Sequence, residues 1–145
     1  MKLIQFKNYQ EEAISELQAK TIKQLGRSGN RTMVFKSPTG SGKTLMMAEY
    51  LKRLDDSELQ KFSFVWAAPR QLHKQSKNSL TKYFQDCQSL KCSLFSDLLD
   101  NRIRSNEILF LNWESINKEN NLVIRENERD FYLDKVLSNT KEEGR

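Results

Sequence analysis

The densest chemistry in the sequence is Ser37-Pro38-Thr39-Gly40-Ser41-Gly42-Lys43-Thr44, set between two apolar runs. Glycines in such a loop let backbone N–H groups converge on an anion, and a helix starting there adds the positive end of its dipole. An ammonium at Lys43 neutralises terminal phosphate charge, and a hydroxyl at Thr44 ligates Mg2+. Gly42, Lys43 and Thr44 match the pattern G-x-x-x-x-G-K-[ST], with Ser37 where the first glycine is usual. Thr39, Gly40, Ser41, Gly42, Lys43 and Thr44 are therefore the candidate triphosphate-binding residues, with ATP and Mg2+ as the expected cofactors. The plainer alternative is a glycine-rich turn that happens to contain GKT, and the flanking strand-then-helix order argues against it.

These residues need a strand to deliver the loop and a helix to receive it. Arg31–Lys36 is a short β-prone run, and Leu45–Leu51 has helical character. Upstream, Tyr9, Ala13 and Leu17 share a helical face with Ile14, Ile22 and Leu25 beside it; Asn8 with Glu11 suggests a capping box, and Gly26 a stop. Phe62–Ala68 is expected as a buried strand, followed by a helix from Pro69 to about Phe84 carrying Leu72, Leu80 and Phe84. A looser segment with Leu94, Phe95, Leu98 and Leu99 leads to a third strand, Glu107–Asn112. After a charged stretch from about Lys118, Phe131, Leu133, Val136 and Leu137 recur at roughly helical spacing. Apolar strands alternating with helices argue for an α/β fold, a parallel sheet with helices on both faces.

Composition bounds the rest. The 145 residues suit one domain, long enough to bury roughly two thirds of the unfolded surface. A mean hydropathy of −0.73 is polar for a complete α/β domain. The net charge of +5 favours polyanionic partners only weakly. Cys87 and Cys92, with the lone His73, assemble no zinc set, and free thiols in a reducing cytosol are expected. The polar amino terminus lacks the 7–15-residue apolar core of a signal peptide, and no segment approaches the ~20 apolar residues of a membrane span. A cytoplasmic protein without a membrane partner is the expectation.

The loop SPTGSGKT resembles the first motif of superfamily-two, DEAD-like helicases and translocases, and other stretches carry the same resemblance. Phe6-Lys7-Asn8-Tyr9-Gln10, thirty-three residues before Lys43, is similar to the upstream adenine-reading motif of those motors. A carboxamide both accepts from adenine N6 and donates to N7, the chemistry the resemblance implies for Gln10; a plain exposed first-turn residue is the alternative. Ala67-Ala-Pro-Arg-Gln-Leu-His-Lys-Gln75 is similar to the next motif, whose helix start touches nucleic-acid backbone. Arg70, Lys74 and Lys77 fall at i, i+4 and i+7, a basic stripe suited to phosphates or merely to solvent. His73 reads as a polar surface residue. Leu111-Asn-Trp-Glu-Ser-Ile-Asn-Lys-Glu-Asn-Asn121 looks like the Res subunit of type III restriction enzymes, which implies that Asn112 meets the tracked strand and that Trp113 stacks or, more plainly, packs.

That resemblance spans Phe6 to the terminal helix. It implies an incomplete amino-terminal RecA-like P-loop motor domain over residues 1–145, with later strands missing. It also implies DNA, duplex by family habit, the rest of the motor and nuclease domains, and a modification methyltransferase subunit as partners. The family's next element is an apolar strand ending in Asp-Glu, which holds Mg2+ and activates water; the sequence contains no Asp-Glu pair. Asp97 and Asp100, within Ser96-Asp-Leu-Leu-Asp100, are poor substitutes. The expected activity is thus nucleotide binding with little hydrolysis, in a chain prone to marginal stability or self-association. A small P-loop kinase, or a non-catalytic nucleotide-binding module, is the competing reading.

Overall fold

A computed structural model describes residues 5–38, 40, 42–57, 61–85, 90–114 and 127–142, with the backbone alone for 127–132 and 134. The chain divides into two units, Met1–Ser57 and Glu58–Arg145.

The first unit is a helix pair. Helix α1 spans Asn8–Leu25 and α2 spans Lys43–Asp56. The start of α1 lies one residue earlier than the sequence suggests: Lys7 is the N-cap, and its N–H donates to Gln10 Oε1 at 2.9 Å. Gln10, not Glu11, therefore satisfies the orphan donor that every helix start leaves. Ile14 is buried on α1, and Met46, Ala48, Leu51 and Leu54 on α2, where Ala48, Leu51 and Leu54 follow an i, i+3 spacing that lays an apolar stripe along the helix. Thr21 Oγ1 and the Tyr50 hydroxyl share a 2.5 Å hydrogen bond between the helices. Residues 31–36, expected as a strand, are unpaired backbone, and Val34 is 76% exposed. β-propensity expresses fit to a partnered, half-buried surface, and no described strand lies alongside this run.

The second unit is built on a three-stranded parallel sheet. Its strands are β1 (Ser63–Ala68), β2 (Lys91–Ser93) and β3 (Glu107–Asn112), in the order β1-β3-β2. Ser63 pairs with Glu107 and Ala68 with Asn112, so β1 and β3 run in full register, while Lys91 pairs with Glu107 on the other side. Ile108, Leu109 and Phe110 are buried on both faces, as a central parallel strand requires. β1, expected to be buried, leaves Val65 46% exposed; among the described strands it lies at the edge of the sheet.

Helix α3 spans Leu72–Gln85 and packs on all three strands. Helix α4 spans Asn127–Glu142 and closes a second apolar cluster in which Val136 meets Ile103 and Leu109, with Phe95, Leu98 and Leu111 at its edge. Ile103 N–H donates to Thr140 Oγ1 at 2.9 Å, fixing α4 to the segment that leads into β3. Leu137, expected on the packed side of this helix, is 44% exposed. The charged stretch 118–126 and Phe131's side chain lie outside the described residues.

At the N-terminal end of β3, Glu107 is buried and both its oxygens are engaged. Its Oε2 accepts from Ser93 Oγ at 2.6 Å and its Oε1 from Arg104 N–H at 2.9 Å. Such a paired carboxylate at the N-terminal ends of parallel strands belongs to stability, since ligands of open α/β sheets sit beyond the opposite, carboxyl ends.

Candidate nucleotide-binding site

Gly40 and Gly42 both adopt the left-handed conformation, with φ of +82° and +83°. Residues other than glycine pay steric strain there, roughly 1–2 kcal/mol. Gly42 is the N-cap of α2, and its carbonyl accepts from Met46 N–H at 2.9 Å. The loop thus turns sharply into the helix, and the first amide groups of α2 keep their donors directed outward. Lys43 and Thr44 are the first two residues of α2, Lys43 exposed and Thr44 half-buried. Thr39 and Ser41, also expected to contact phosphate, lie outside the described residues.

Gln10 is brought to this turn. A Cβ added at Gly42 would stand 2.8 Å from Gln10 Nε2, so only glycine admits the carboxamide so close to the loop. The residue expected to read the base and the glycine expected to cradle phosphate are neighbours in space although thirty-two positions apart. A glycine cradle, a lysine and a hydroxyl at a helix start, and a carboxamide alongside form a donor set that fits Mg2+-ATP.

On the second unit the expected basic stripe is not formed. Arg70 and Gln71 have positive φ, +52° and +60°, so the helix begins at Leu72 and not at Pro69, and Arg70 sits in the turn before it. Arg70 N–H donates to Glu114 Oε1 at 3.2 Å. Lys74 is exposed, while Lys77 is half-buried near the Cys92 thiol. Periodicity explains the split: His73, Leu80 and Phe84 fall on one helical stripe, Lys77 lies close to it, and Lys74 is turned away.

His73 corrects a second expectation. It is buried, 7% exposed, and its Nδ1 has no hydrogen-bond partner among the described residues. Burial pushes its pKa below the ordinary 6.5, and the Lys74 charge adds to the same direction. Leu72, expected in the packed face, is 41% exposed in its place. Asn112 ends β3 in register with Ala68; it is buried, and its Oδ1 is also without a partner among the described residues. Trp113, the next residue, is half-exposed and not packed away. Cys92 is a free, half-buried thiol whose pKa burial raises, as the sequence suggests; Cys87 is outside the described residues.

Asp97 and Asp100 have structural partners. Asp97 Oδ2 accepts from Leu94 N–H at 2.9 Å in a 3-10 turn, and Asp100 pairs with Arg104 at 3.4 Å. Among the described residues no group of three or more His, Cys, Asp or Glu side chains is arranged to hold a metal, and no helix is long and apolar enough to cross a membrane.

Two long-range polar contacts have no signal in the sequence. The Glu114 contact to Arg70 and the ion pair of Arg53 with Glu11 each join residues more than forty positions apart, and nothing local signals either. A family model described as "Type III restriction enzyme, res subunit" matches residues 3–139. Neither curated proteins nor solved structures gave a match to the chain.

Proposed function

The chain belongs to the type III restriction enzyme res-subunit family, one of ATP-dependent, helicase-type nucleotide-binding proteins, and from that premise we propose that it is the ATP-gripping part of a DNA-translocating motor. The observation that carries this reading is the left-handed Gly42 at the start of α2, followed by Lys43 and Thr44 and faced by Gln10. In it, the amides of the Gly40–Thr44 loop, with Thr39 and Ser41 included, hold the phosphates. Lys43 neutralises their charge, Thr44 ligates Mg2+ through its hydroxyl, and Gln10 takes the adenine edge. Bound Mg2+-ATP would supply the hydrolysable phosphoanhydride and a divalent charge to offset that of the phosphates.

Arg70, Lys74, Lys77 and Asn112 are the proposed nucleic-acid contacts. Their support is placement: Arg70 and Asn112 stand at the carboxyl ends of adjacent parallel strands, where open α/β sheets receive ligands. Arg70 and Lys74 are exposed enough to meet phosphate directly. Duplex DNA, the remaining motor and nuclease domains and a modification methyltransferase are the partners this reading assigns, in the cytoplasm. The 145 residues contain no Asp-Glu strand end, so the proposal includes little hydrolysis by this chain on its own. Titration of the purified chain with ATP in Mg2+ tests it. Saturable binding that Lys43→Ala abolishes is the expected result, and binding indifferent to Lys43 would refute the site.

A further inference from the structure

Residues 26–42, which join α1 to α2, form neither helix nor strand among those described. The relative placement of the two helices therefore rests on contacts across them. Thr21 with Tyr50 and Gln18 with the Arg53 carbonyl act nearly four and nearly three turns into α1. One polar contact between side chains of the two helices lies in the first turn of α1, where Gln10 stands: Arg53 Nη2 lies 2.8 Å and 2.9 Å from the two oxygens of Glu11.

Arg53 is suited to hold that position. Side chains on a helix lean toward its N-terminus, so the guanidinium of Arg53 reaches back one turn, where its Nε meets Glu49 Oε1 at 3.1 Å. Glu49 is nearly buried and Arg53 is about three quarters covered, whereas Glu11 is half-exposed. The inner carboxylate fixes the planar fork before the outer one joins it, which reduces the side-chain entropy lost in the second contact. Glu11 is the neighbour in sequence of Gln10, whose Nε2 sits against the Gly42 backbone with no room for a Cβ between them.

We infer that Arg53, through Glu11, is a positioning residue for the base end of the nucleotide site: it sets where the Gln10 carboxamide stands relative to the phosphate loop. The inference rests on the reading of Gln10 as the adenine contact. It assigns to the far end of α2 a role in base preference that the loop itself does not have, and it separates two parts of one affinity. Phosphate grip depends on Gly40 to Thr44, while preference for adenine depends on the Arg53–Glu11 link.

Glu11→Ala is the clean probe, because it leaves the buried Arg53–Glu49 pair in place and puts a strong helix former at an exposed helical position. The purified chain and its Glu11→Ala and Gln10→Ala variants are titrated with ATP, GTP and inorganic tripolyphosphate. A partly exposed ion pair is worth up to ~1 kcal/mol, so Glu11→Ala is expected to weaken ATP about fivefold and to shrink the ATP-over-GTP preference equally. Tripolyphosphate affinity is expected to stay unchanged, which a general loosening of the helix pair would not allow. Equal losses for ATP and tripolyphosphate, or no loss for ATP, overturn the inference. Should Gln10→Ala abolish the base preference while Glu11→Ala keeps it, the inference alone fails. An unchanged preference in Gln10→Ala removes the adenine reading itself and the inference with it.

Discussion

The two units of this chain solve the same problem, holding a few polar groups in place, by different physical means. In residues 5–57 the placement comes from backbone conformation and polar ties: two left-handed glycines, a helix start, and Arg53 between two carboxylates. In residues 61–142 it comes from burial, with Ile108, Leu109 and Phe110 almost free of solvent and the strand ends carried wherever the sheet puts them. A site made by tight turns can be damaged with little loss of fold. One set at strand ends is lost only when the core goes.

The contrast can be broken at the core first. Phe110 is buried and stacks on Trp66 with ring centroids 5.8 Å apart, so Phe110→Ala is expected to destabilise the chain by about 3–5 kcal/mol. Urea unfolding checks it, and a loss below about 1 kcal/mol would show the sheet to be looser than its burial implies.

Gly42→Ala should do less to the fold and more to the site. Its φ of +83° costs an alanine about 1–2 kcal/mol, and the new methyl must displace the Gln10 carboxamide. A modest drop in melting temperature with a disproportionate loss of ATP affinity is the expected pattern. Affinity falling only in step with stability would count against the close approach of Gln10.

Arg70→Gln and Lys74→Gln act on the proposed nucleic-acid face. Each phosphate contact removed is expected to lower DNA affinity at low salt and to flatten the salt dependence by about one unit of slope, without altering stability. Lys77→Gln is expected to have the smaller effect on DNA, because that side chain lies half-buried beside Cys92.

The smallest effect concerns pH. Burial holds the His73 pKa below its ordinary 6.5, so the unfolded chain binds a proton that the folded chain refuses. Stability is therefore unaffected by this group above the unfolded pKa and falls as pH drops below about 6.5, levelling once the folded form is protonated too. Urea midpoints between neutral pH and pH 5 should show that slope, and His73→Gln should flatten it.

How much of this was legible in the sequence differs between elements for physical reasons. Strand β3 occupies Glu107–Asn112 as expected because its apolar run is continuous, the pattern of a strand covered on both faces. Strand β2, three residues long, carries no period and was not anticipated. The run Arg31–Lys36 has the right residue types but no described neighbour to pair with, and propensity without a ladder does not make a strand. Helix α3 begins late because Arg70 and Gln71 take positive φ, a choice their side chains do not announce. The polarity of His73 points to the surface, whereas its spacing of seven to Leu80 puts it on the packed stripe. The glycine turn into α2 is legible because its residue pattern is local; the approach of Gln10 to Gly42 needs the fold.

The central proposal is that this chain grips nucleotide through Lys43 and, with no Asp-Glu pair in its sequence, hydrolyses little of it. Parallel measurement of Mg2+-ATP binding and of phosphate release by the purified chain and its Lys43→Ala variant tests both halves together. The expected outcome is saturable binding that is lost in the variant, with phosphate release no faster than in buffer. Release that stands above buffer and vanishes in Lys43→Ala would contradict the account, since a water-activating group would then lie within these residues.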